Sequence, residues 1–221
     1  MLGRALQRLF LALQGVRSPR PIHPRGLLLG GDVFWGDRDR ASGIEWIDAP
    51  SSGTRANVTA RYSRSLGLPD SFPDVLGLAL RVETDTGHAD LELASTGSGL
   101  PLRFALVPRW VPSRGVFTTL LPYRGDAGPV LIRARPLRPS LPADLPGIER
   151  ALREETWRLS LSFATPGGPW HPFALLSLNA RGGDSDIRFD AGSSVLPGAR
   201  MYRWANAVRQ PSYDAVQRRN R

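Results

Sequence analysis

The chain has 221 residues, 41% of them apolar and 22% charged, with no cysteine and a formal net charge of +9. That length and apolar content suit one domain with a real core and argue against wholesale disorder. The lack of cysteine excludes disulfide scaffolds, thiol catalysis, iron–sulfur clusters and cysteine-bound zinc, and no run approaches the ~20 apolar residues of a membrane-spanning helix. A soluble, cytoplasmic protein is expected.

All 29 cations are arginine, and their placement says more than their number. Residues 1–31 hold five arginines and no acid, and residues 199–221 hold six against Asp214 alone, whereas the stretch between is nearly neutral. If the two ends converge, they form one positive site for an anionic ligand; a nucleic-acid or lipid surface is the other reading of such charge.

In chain order, residues 2–16 read as an amphipathic helix with Leu2, Leu6, Leu9, Phe10 and Leu13 on one face. Gly15 and Ser18-Pro19 end it. A packed or swapped N-terminal arm over residues 1–18 is expected, with a transit peptide or an interfacial membrane helix as alternatives. Short strands between turn signals follow at 26–35, 56–63, 76–83, 88–94, 102–107, 128–135, 157–164, 171–178 and 186–190. Several alternate apolar and polar residues, as in LALRVE at 78–83 and WRLSLSFA at 157–164. A helix is predicted at 143–156, and residues 197–220 read as helical with a break or restart at Pro211. The fold class is therefore mainly β with flanking helices: an antiparallel β-barrel of about eight strands, one domain over residues 19–221.

Phosphate-binding glycine loops, a nucleophile elbow and paired metal-binding histidines are absent from the sequence. Asp37-Arg38-Asp39 and Asp184-Ser185-Asp186 read as turns. His88 is expected at the surface where a turn enters a strand, and His171 in simple packing beside Trp170. Tyr62, Tyr123 and Tyr202 read as core or rim aromatics. The C-terminus differs, because Arg209 and Tyr213 are four residues apart and share a face if the segment is helical. A cation beside a phenol favours the phenolate, a hard anionic ligand suited to ferric haem. Taken alone, the same residues also describe a capped surface helix.

RQPSYDAVQR at 209–218 resembles the proximal motif of haem catalases, in which tyrosine ligates the iron. Other segments follow in that family's order. RPIHPRG (20–26) is similar to the distal segment, TARYSRSLG (59–67) to the strand with a propionate-binding arginine and a histidine-orienting serine, and DVLGLALRV (74–82) and DLELAST (90–96) to the next two strands. The resemblance implies a minimal, catalase-related haem protein holding haem b. It assigns Tyr213 as the proximal iron ligand and Arg209 as the cation that keeps it ionised. His23 becomes the distal acid–base, oriented by Ser63. Arg20 and Arg61 bind propionates, and Gly77 and Ala94 lie against the cofactor. Tyr202 is a fallback ligand.

The chain also departs from the family. The sequence runs eight residues past Tyr213, so a minimal member without the family's C-terminal helical domain is expected. Alanine at 94 stands where the distal asparagine is expected, and Asn220 falls near the place of a further arginine. The resemblance implies a peroxidase that uses a peroxide or an organic hydroperoxide with a small organic reductant, weak in true catalase activity and acting without nucleic acid, while the separate N-terminal helix points to a homodimer. A non-catalytic barrel binding haem or another hydrophobic ligand is the second reading, and a basic nucleic-acid or membrane-surface protein the third.

Overall fold

The computed structural model describes residues 26–50, 54–85, 87–182 and 187–205. Ten strands follow in chain order: β1 (Gly26–Trp35), β2 (Arg55–Arg64), β3 (Leu76–Thr84), β4 (Gly87–Thr96), β5 (Val116–Thr118), β6 (Tyr123–Gly125), β7 (Gly128–Arg138), β8 (Trp157–Ala164), β9 (His171–Ala180) and β10 (Arg200–Met201). Helix α1 (Glu45–Asp48) lies between β1 and β2, and α2 (Leu145–Glu154) between β7 and β8.

Eight strands pair in the circular order β1-β2-β3-β4-β5-β7-β8-β9, with β9 returning to β1, and every pairing is antiparallel. The result is the expected single-domain, closed eight-strand barrel. The short strands β6 and β10 extend from β7 outside the ring. Period-two alternation puts one residue of each pair inside. In β2, Ala56, Val58, Ala60 and Tyr62 are buried while Arg55 and Asn57 are exposed. At the barrel centre Trp157 meets Tyr62 and Phe117 edge-on, with ring centroids 6.0 and 6.1 Å away. Such aromatic contacts add directional attraction to a large area of buried surface.

Two local chemistries shape the ends. The Asp144 carboxylate accepts the Gly147 N–H at 2.7 Å and caps α2, whose Ile148 and Leu152 face the barrel. In β1, a Cβ on Gly31 would run into the Ser177 carbonyl of β9, so glycine permits the close approach that shuts the ring.

Some predicted elements are corrected. Residues 102–107 are not a strand: Leu102–Phe104 form a 3₁₀ turn, and only Leu106 makes an isolated bridge. The described part of 186–190 is irregular, because the Arg81 guanidinium binds the Arg188 carbonyl and Asp90 captures the Asp190 N–H. Residues 197–201 are turn and strand, with helical residues only at 203–205 before the described chain ends. The expected N-terminal helix, the rest of 197–220 and the Asp184–Asp186 turn lie outside the described residues.

Candidate functional site

Strand register, read outward from the core, assembles the site. Because Leu27, Tyr62, Leu78 and Leu93 point inward, their neighbours Gly26, Ser63, Gly77 and Ala94 point outward. These four are successive partners across β1, β2, β3 and β4: Gly26 with Ser63, Ser63 with Gly77, Gly77 with Ala94. With strands ~4.8 Å apart, the row makes a face of about 14 Å that carries no large side chain. The row below it holds Leu28, Arg61, Ala79 and Glu92.

Arg61 leans from that second row onto the first. A Cβ on Gly26 would stand 2.7 Å from its Nε, so the missing side chain at Gly26 is what gives the guanidinium its place. Ser63 is 5% exposed although it faces away from the core. A face of small residues with a guanidinium at its margin has the chemistry to take a planar, anionic ring: the face would stack on the ring and the cation would meet a carboxylate. The fit is to the ring and its acid groups. Among the described residues no group of histidines and acids is arranged to hold a metal ion.

Four of the sequence-predicted site residues, Arg61, Ser63, Gly77 and Ala94, are thus brought together. His23, Arg20, Arg209 and Tyr213 lie outside the described residues. Tyr202 stacks on Trp204 with centroids 5.9 Å apart and belongs to a small apolar cluster with Phe104, Leu121 and Leu131. Tyr62 and Tyr123 are buried, and burial pushes the Tyr62 phenol well above its ordinary range. His88 is exposed on β4, 3.5 Å from Ser194. His171 does more than pack: its ring lies against Phe163, and Nδ1 is 3.0 Å from both carboxylate oxygens of Asp39. That contact holds the Asp39 carboxyl below its usual range.

The same row continues beyond what the sequence reading picked out. Ala94 pairs with Thr118, Thr118 with Arg133, and Arg133 with Ser162. Arg133 and Arg103 both lie over the Trp170 ring, 4.5 and 5.0 Å from its centroid. Arg103 also donates from Nη1 to the carbonyls of Thr165, Pro166 and Gly168. Among the described residues neither arginine forms an ion pair. Burial, then the Arg135 and Arg103 cations, push the Arg133 guanidinium down to about 10, so this side of the face remains positive at neutral pH. The alternation Arg133-Ala134-Arg135 in a β-strand is the sequence signal for two cations on one outer face.

No protein-family model matches the sequence, and no curated protein matches it. Among solved structures the fold is similar to a bacterial catalase, with a TM-score of 0.60 and 11% sequence identity over 98% of this chain. The chain spans 60% of that catalase's length. The likeness is one of fold: a distant structural similarity to a catalase, carried by a closed antiparallel barrel.

Proposed function

We propose that this chain is a haem-dependent peroxidase of the catalase-related kind, holding haem b against the outer face of β1–β4 and using a peroxide or organic hydroperoxide with a small organic reductant. One observation carries the reading: on a catalase-like barrel, Gly26, Ser63, Gly77 and Ala94 form a single small-residue row with the Arg61 guanidinium at its margin. Bound haem supplies a ferric centre at which a peroxide O–O bond can be cleaved and electrons drawn from a second substrate.

The chain's own residues would do the rest. Tyr213 would hold the iron as a phenolate, a form the Arg209 cation would favour. His23 takes a proton from one peroxide oxygen and returns it to the other. It stands three residues before Gly26, a stretch of at most about 11 Å, and Gly26 pairs with Ser63. That short tether supports Ser63 as the residue that would orient the imidazole. Arg61 and Arg20 receive propionates. Ala94 has no polar group with which to steady hydrogen peroxide, which favours a bulkier hydroperoxide that binds by its apolar part. The same alanine supports the second reading, a haem-binding barrel without turnover.

The test is a titration of the purified protein with hemin, followed by visible absorption. A sharp Soret band with high-spin ferric charge-transfer features is expected, lost in Tyr213→Phe while the far-ultraviolet circular dichroism is unchanged. Ala94→Asn should raise hydrogen peroxide turnover, and His23→Ala should abolish peroxidase activity in the loaded protein. A spectrum that stays featureless with hemin, or one unchanged by Tyr213→Phe, overturns the proposal. Loading without any turnover selects the second reading.

A further inference from the structure

Where β2 ends, two loops present large apolar side chains to solvent. Leu66 and Phe72 are each 56% exposed, Leu68 is 41% exposed, and Trp110 on the neighbouring loop is 59% exposed. The backbone beneath them is pinned. Asp74, with no exposed surface, accepts the N–H groups of Leu66 and Leu68 at 2.8 and 3.2 Å. Its backbone exchanges two hydrogen bonds with Arg109, and the Trp110 indole donates to the Ser71 carbonyl at 3.3 Å. From below, Arg64 donates to the carbonyls of Pro69 and Phe72. A loop without these braces could turn its apolar tips inward; this one is fixed with them outward. An exposed apolar patch on a fixed backbone marks a docking surface.

The chain itself provides a partner. Gly26 is the first described residue, and it pairs with Ser63, three residues before Leu66. The described chain therefore begins beside the patch. Residues 2–16 carry Leu2, Leu6, Leu9, Phe10 and Leu13 at helical spacing, with Arg4 and Arg8 but no acid. The nine residues 17–25 can span up to about 30 Å.

We propose that residues 2–16 dock their apolar face onto the Leu66–Leu68–Phe72–Trp110 patch of their own barrel, which leaves Arg4 and Arg8 on the opposite, solvent-facing side. The docked segment covers the exposed leucines and aromatics and fixes the stretch that runs on through His23 to Gly26. The inference does not depend on haem.

The chain has no cysteine, so Ser71→Cys offers a unique site for a polarity-sensitive fluorophore in the full-length protein. Combined with Leu6→Ser, Leu9→Ser and Phe10→Ser, it should show emission shifted to the red and freer quenching, at protein concentrations where both forms are monomeric. Trypsin gives the reciprocal reading. Cleavage after Arg4, Arg8 and Arg17 should be at least about tenfold faster in Phe72→Ser/Trp110→Ser, since cutting follows the open population. Identical emission and identical cleavage rates overturn the proposal. So does a label that is shielded only with phosphatidylglycerol vesicles, or only at concentrations where the protein dimerises, which would assign the patch to a membrane or to a second copy.

Discussion

Asp74 shows how one buried carboxylate can organise a surface. It faces the Arg64 guanidinium at 3.9 Å, and both side chains are almost fully buried. Without Asp74, Arg64 would keep Asp70 at 3.6 Å, but the Leu66 and Leu68 N–H groups would lose their buried acceptor, at a cost of about 1–3 kcal/mol. Asp74→Ala should therefore lower the urea midpoint sharply and release the loop that carries Leu66 and Leu68. Arg103 works in the opposite direction, because its three carbonyl acceptors belong to the β8–β9 turn. The contact between Asp39 and His171 gives a pH signature. The folded Asp39 carboxyl is held below its ordinary 3.8 by the imidazole hydrogen bond, so its stabilising effect is present above that value and fades as pH falls through the folded one. In His171→Ala, the Asp39 titration followed by carbon-13 NMR should move back toward 3.8, and the stability gap from wild type should close below about pH 4.

At the scale of elements, Gly31 is the position least able to change. Any side chain there meets the Ser177 carbonyl across the β1–β9 seam, and overpacking of this kind costs about 1–3 kcal/mol or more. Gly31→Ala should destabilise the barrel by at least about 2 kcal/mol in guanidinium unfolding, whereas Gly36→Ala, with open space around it, should change little. The long strands were legible in the sequence because one face of each is core: WRLSLSFA occupies β8 at 157–164 as its alternation predicts. The three-residue strands β5 and β6 are too short to show a period, although β5 is a stave of the ring. Residues 102–107 are an apolar run between turn signals, yet the Gly97 N–H bonds to the Leu102 carbonyl and Arg103 is drawn to a distant turn. The Arg103 partner lies 65 residues away, beyond the reach of a local pattern. For the site, the resemblance to haem catalases singled out Arg61, Ser63, Gly77 and Ala94, and register places the last three in one row. Arg133 joins that row only through the order β4-β5-β7, in which β6 is skipped.

At the scale of the whole molecule, the first and last staves of the ring are neighbours. Leu29 at the start of the described chain pairs with Ala180 near its end. As the chain leaves the ribosome, β1 can pair with β2 early, but its other edge stays unsatisfied until β9 has emerged. The nascent protein therefore carries an open strand edge through most of its synthesis, the condition that invites chaperone capture or pairing with another chain. Refolding of the complete chain should fall in the millisecond-to-second range typical of sheets with distant pairings, as stopped-flow fluorescence would show. A circular permutant that joins β9 to β1 through a short linker and opens the chain at the exposed 65–70 loop should refold faster, because its seam forms as a local hairpin.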